Sequence, residues 1–230
     1  MSSDVGVSDV FAEFLAAALH CICYVCGVYP QERFERRQLL GACVYLCTEH
    51  SVLQHIYNAV AHTMPHIVSG NVQELQIAVS RVTITDESAE PGVAEREHFR
   101  TGTPALARFV LYLVDNLVGV SWAGRWTSQV AARLVPAFRD QLTQILAVQS
   151  APAFAHQFAV GQHAGKPKPP LTWDLCLVAR PGHELRLSPE WTGKAGVSSA
   201  RHASGSEYQV VVLGNAEESV PSVLRVDVLQ

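Results

Sequence analysis

From Val10 to Val25 the apolar residues recur at helical spacing: Val10, Phe11, Phe14, Leu15, Ala18, Leu19, Ile22 and Val25. Ser8 or Asp9 is placed to cap the start, and Pro30 to end the helix, because the residue before a proline is pushed out of the helical region. Ala16, Ala17, Cys21 and Cys23 make the remaining faces small or apolar, the pattern of a central, buried helix. Residues 39–47 (LLGACVYLC) read as a short strand or extended edge. A second helix follows, with Leu53, Ile56, Val60, Met64 and Ile67 on one face, Pro65 in its last turn and Ser69-Gly70-Asn71 as its stop. Leu75, Ile77 and Val79 then alternate as a strand, whose phase slips near Arg81 before Val82 and Ile84 continue past a bulge.

Residues 85–105 are acidic, punctuated by Pro91-Gly92 and Gly102-Thr103-Pro104, and carry no period; they read as a surface insertion in a hairpin. Phe109 to Val118 is apolar on both faces, as a central strand is. A third helix, about 127–149, carries Val130, Leu134, Phe138, Leu142 and Ile145. Residues 161–170 (GQHAGKPKPP) form a linker, and Leu171 to Arg180 alternates as another strand. A Gly/Ser-rich stretch, 192–206, precedes two apolar segments, Tyr208–Leu213 and Val220–Leu229. This order predicts an α+β fold, three helices packed on one face of an antiparallel sheet with a loosely tethered strand pair at the end. No internal repeat is present.

Composition narrows the function. A hydrophobic content of 48% and a charged content of 17% supply a sizeable core over 230 residues and exclude a mainly disordered chain. The net charge of −4 gives no drive toward a phosphate backbone. The only basic cluster, Arg33, Arg36 and Arg37, is interleaved with Glu32 and Glu35 and reads as a solvated mixed face, so no direct nucleic-acid binding is expected. The first nine residues lack the basic start of a signal peptide. The longest apolar run, Phe14 to Tyr29, is about 16 residues and too short to span a bilayer, so no membrane role is expected. Six cysteines without a secretory signal point to reduced thiols inside the cell.

Motifs for chemistry are missing. Gly193-Lys194 lacks the earlier glycine of a phosphate loop, since Leu187 stands there. Neither G-x-G-x-x-G nor G-x-S-x-G occurs, and none of the ten histidines has H-E-x-x-H spacing. His20, Cys21, Cys23 and Cys26 are the best metal candidates, but positions 20 and 21 diverge by about 100° on a helix and do not converge on one ion. No spacing favours a Cys/His nucleophile. Neither metal, cofactor nor catalysis is expected, and binding of some partner is what remains.

The stretch Asp9 to Phe34, DVFAEFLAAALHCICYVCGVYPQERF, resembles the first helix of HORMA domains, with an aromatic-Pro turn followed by phenylalanine. Glu13-Phe14-Leu15 and the run His20, Tyr24-Val25, Val28-Tyr29-Pro30 are most similar to the branch that serves as non-catalytic subunit of the translesion DNA polymerase zeta. The spindle-checkpoint branch is the runner-up. Leu53 to Ile56, Val72 to Val79 and Arg108 to Leu111 align with the family's second helix and hairpin strands, and the resemblance is good over about 70 N-terminal residues.

The resemblance implies a single HORMA domain over 1–230, with a core at about 8–180, the insertion at 85–105 and a mobile C-terminal safety belt at about 184–230. It implies a nuclear, non-enzymatic adaptor for DNA damage tolerance that traps a peptide motif of the polymerase zeta catalytic subunit and links it to a second translesion polymerase. The edge strand taking that peptide would be Thr172–Ala179, with Trp173, Leu175 and Leu177 on one side and His55 either lining the groove or facing solvent. Trp191 would close over the peptide, and the strands carrying Val211 and Leu229 would lock on the far edge of the sheet. The family's dimerisation arginine maps to Arg139 or Asp140, so a HORMA dimer is a further expectation. The chain departs from the family at His55, where an aromatic is usual, at Gly193, where an aliphatic follows the belt tryptophan, and in its longer insertion.

Overall fold

The computed structural model describes residues 5–81, 105–113, 121–152, 154, 158 and 170–179, and the backbone of 208–212 and 222–229. Helix α1 (Val7–Cys26) is followed by the hairpin β1 (Phe34–Leu39) and β2 (Ala42–Cys47), helix α2 (His50–Val68), strands β3 (Val72–Arg81) and β4 (Ala105–Leu113), helix α3 (Ser128–Ala147), and strands β5 (Leu171–Ala179), β6 (Tyr208–Val212) and β7 (Ser222–Leu229).

α1 is the central helix its composition predicts: every residue from Phe14 to Cys23 is buried. It packs against both α2 and α3, and Phe14 stacks on Phe138 with ring centres 4.4 Å apart. Its ends differ from the sequence reading. The N-cap is Gly6, not Ser8 or Asp9; Asp9 sits in the first turn and its carboxylate accepts the Gly6 N–H at 2.8 Å. The helix stops at Gly27, three residues before Pro30, because Gly27 takes the left-handed conformation (φ 64°) and Val28 N–H closes onto the Cys23 carbonyl. At 20 residues α1 is also longer than the run of about 16 read from sequence, and by length and composition alone it is long and apolar enough to cross a membrane. Here it is the core helix, with 78% of its most apolar window buried in the protein.

The extended segment at 39–47 is half of a hairpin. β1 pairs antiparallel with β2 from Phe34 opposite Cys47 to Leu39 opposite Ala42, and Leu40 and Gly41, both at positive φ, make the two-residue turn. β1 shows no alternation because residues 35–38, Glu-Arg-Arg-Gln, are all exposed. The buried face of α2 is Val52, Ile56, Val60, Thr63 and Ile67. Leu53 and Met64 are half-buried, so the stripe is rotated slightly from the one predicted. Pro65 lies in its last turn and Gly70 (φ 75°) follows the cap Ser69, as read.

The main sheet is antiparallel throughout, in the order β5-β3-β4-β7-β6. The phase slip near Arg81 is a register shift between Val79 and Ser80 against β4. Leu75, Ile77 and Val79 of β3, Ala107, Phe109 and Leu111 of β4, and Trp173 of β5 join the helices in one core. Val110, on the opposite face of β4, is buried too, as befits the middle strand. α3 is capped by Thr127, whose hydroxyl accepts the Val130 N–H at 3.3 Å, and buries Leu134, Phe138, Leu142 and Ile145. Val82, Ile84, the insertion before Ala105, the linker 161–169 and the belt segment through Trp191 to residue 207 lie outside the described residues.

Candidate peptide-binding edge

β5 is paired with β3 on one side, from Val72 opposite Ala179 to Arg81 opposite Leu171. Among the described residues no strand pairs with its other side. The outward N–H and C=O groups of an edge strand are a template for one more extended segment. Trp173, Leu175 and Leu177 stand opposite Val79, Ile77 and Leu75, so they face the helices. Trp173 is 6% exposed and belongs to the core, while Leu175 and Leu177 are half-buried at its rim.

Two residues from other elements converge on Trp173. His55 is exposed on α2, yet its ring meets the indole edge-on, with centres 4.9 Å apart and planes at 64°. Tyr29, in the turn after α1, accepts the Trp173 indole N–H on its phenol oxygen at 3.3 Å. Burial pushes the Tyr29 pKa above that of a free phenol, against the lowering effect of the indole bond. His55 thus keeps an exposed place on α2 while its ring touches Trp173. Tyr29 joins the site only through the fold; its one signal in the sequence is the Val28-Tyr29-Pro30 turn.

The other expected residues are elsewhere. Val211 lies on β6 and Leu229 on β7, at the far side of the sheet. Four strand spacings, about 19 Å, separate β5 from β6, so Val211 does not share an edge with Trp173. Trp191 is outside the described residues. Arg139 and Asp140 are exposed on α3 and hydrogen-bond to each other at 3.3 Å, with Arg139 beside the hairpin turn at Gly41.

The candidate chemistry resolves into structure. His20 is buried and its Nδ1 accepts the Cys47 N–H at 3.3 Å; burial lowers its pKa to about 4, so the imidazole is neutral. Burial likewise pushes the Cys21 thiol up to about 11 and Cys23 higher still, which leaves them poor nucleophiles. All six cysteines are free, and among the described residues no three His, Cys, Asp or Glu side chains gather to hold a metal. In the basic cluster Arg33 pairs with Glu49, Arg37 with Glu35, and Arg36 donates to Cys43. It is the mixed face expected.

No protein-family model matches the chain. The mitotic spindle assembly checkpoint protein MAD2A of Homo sapiens is 30% identical over 94 residues, 41% of this chain and 43% of that protein. The DNA polymerase zeta processivity subunit of Schizosaccharomyces pombe is 27% identical over 117 residues, 48% of this chain and 52% of that protein. The matches thus span about half the length of these relatives. Among solved structures, a chain of the Mitotic Checkpoint Complex superposes with a TM-score of 0.57 at 16% identity, covering 96% of this chain and 95% of that one. C. elegans HTP-2 bound to HTP-3 closure motif 1 gives 0.55 at 10% identity, covering 96% and 84%. At such identities the likeness is one of fold.

Proposed function

We propose that this chain, whose three helices on an antiparallel sheet are the HORMA fold, is a non-enzymatic adaptor that captures an extended peptide of a partner on β5. The observation that carries the reading is the outer edge of β5, unpaired among the described residues, beside the Tyr29–Trp173–His55 group. A peptide strand laid there gains main-chain hydrogen bonds along the edge, and its alternate side chains meet the apolar rim of Leu175 and Leu177. The residues from about 184 to 230 act as the belt, holding the peptide in place while β7 anchors to β4, and β6 to β7, on the far side.

The partner in this proposal is the catalytic subunit of polymerase zeta, with a second translesion polymerase joined to it, in the nucleus and in DNA damage tolerance. The motif of α1 and the 117-residue similarity to a polymerase zeta processivity subunit support it. A checkpoint role is the second reading, favoured by the 30% identity to MAD2A. Affinity purification from cells under replication stress, followed by mass spectrometry, separates them. Recovery of the polymerase zeta catalytic chain in slowly released form is the expected result. Recovery of spindle-checkpoint proteins instead would move the function to mitosis, and recovery of neither would remove both partners.

A further inference from the structure

We infer that Tyr29 sets sequence specificity at the β5 edge: its phenol O–H donates to a side-chain acceptor of the bound peptide, an Asn, Gln, Asp or Glu placed within an otherwise apolar alternation. The inference rests on the reading of β5 as a peptide-binding edge. The Trp173 indole N–H already occupies the Tyr29 oxygen as an acceptor, at 3.3 Å. An indole nitrogen only donates, so the phenol hydrogen must point to something else. Among the described residues nothing accepts it. The side chain is half-buried, and burial raises its pKa, so the group stays protonated and remains a donor. Accepting one hydrogen bond also strengthens the next one that the same hydroxyl donates.

Trp173, with His55 against it, stands beside this donor, and Leu175 and Leu177 continue the same apolar face along β5. While the edge is empty, water satisfies the Tyr29 hydroxyl. A peptide covering the rim removes that water. A segment with a carbonyl or carboxylate at this point replaces the lost bond, and one with only apolar side chains leaves the donor unpaired. Sites that hydrogen-bond a ligand group discriminate against analogues lacking it more strongly than apolar pockets discriminate by size. For a half-buried neutral donor, a preference of roughly tenfold is expected.

The test is a random peptide display library selected on the full chain and, in parallel, on Tyr29→Phe. The wild type should enrich peptides with alternating apolar residues and an Asn, Gln, Asp or Glu fixed at one position. Tyr29→Phe should keep the alternation and lose the fixed acceptor. Replacing that acceptor by leucine in a selected peptide should weaken binding to the wild type roughly tenfold and leave binding to Tyr29→Phe unchanged. A merely structural Tyr29 predicts the reverse pattern, with both peptides weakened equally by Tyr29→Phe, and that result overturns the inference. An alternation without any fixed acceptor in the wild-type selection also overturns it, even should the variant not fold, while the capture reading stands. Selection of no peptide by the wild type overturns both.

Discussion

His20 is buried on α1 as a neutral imidazole, its Nδ1 holding the Cys47 N–H and so fastening the end of β2 to the central helix. Its pKa is about 4 in the fold against about 6.5 in an unfolded chain, so between these values the unfolded state binds the extra proton. Stability from this group is complete above pH 6.5 and is lost as pH falls toward 4. From pH 7 to pH 5 it amounts to about 2 kcal/mol. Urea unfolding at the two pH values should show that loss in the wild type, and His20→Gln should be less pH-dependent by about the same amount. Equal pH dependence in both proteins would place the buried proton deficit elsewhere. At this scale the sequence was ambiguous. It put His20 beside three cysteines, which suits a metal as well as a core, and only the fold shows that the imidazole lone pair is used by a backbone N–H. The same holds for His55, whose contact with Trp173 joins residues 118 positions apart.

Among the elements, long amphipathic helices and the central strands were legible, because burial on one face or on both leaves a period. β1 was not: the exposed run 35–38 has the composition of a loop, and only the turn at Leu40-Gly41 marks a hairpin. Helix ends were legible only in part. Gly27, in left-handed geometry, ends α1 ahead of the more conspicuous Pro30, and the Asp9 carboxylate serves the N-terminus from inside the helix. Thr127 is the clearest cap, with its oxygen on the Val130 N–H and Leu134, Phe138 and Leu142 buried beyond it. Thr127→Ala should cost about 1 kcal/mol, read as a lower denaturant midpoint at an unchanged slope. Thr127→Ser should restore most of it, since the hydroxyl is retained. A loss no greater than a few tenths would mean that tertiary packing alone sets where α3 begins.

For the whole molecule, the decisive relation is between two edges. The chain leaves the sheet at β5 and re-enters it at β6 on the opposite side, with residues 180–207 between. Those 28 residues have an extended reach of roughly 90–100 Å, against a sheet width of about 19 Å. The connection thus has ample length to pass around a strand held on β5. If it does, release requires peeling β7 from β4, a loss of several hydrogen bonds and an apolar face on the order of 5–10 kcal/mol. That slows dissociation roughly 10⁴- to 10⁷-fold. Deleting residues 184–230 should therefore shorten the lifetime of a captured partner by orders of magnitude, measured as an off-rate. A lifetime that survives the deletion would be fatal to the belt. The apolar segments after the Gly/Ser-rich stretch made β6 and β7 legible in the sequence. Nothing in the pattern stated that β7 would choose β4, because that choice depends on which sheet edge is vacant.

The pairing of β4 with β7 also has a consequence for how the protein is made. β4 lies in the middle of the sheet, yet its second neighbour is encoded 108 residues later, after residues 114–221. At roughly 5–20 residues per second, a ribosome needs about 5–20 s to deliver it. For that interval Phe109 and Leu111 belong to a strand with one side open, in a nascent chain whose helices α1, α2 and α3 emerge before β7 does. Synthesis thus passes through a stage in which the sheet has a vacancy at its centre, open to a chaperone or to an unrelated strand before its own arrives.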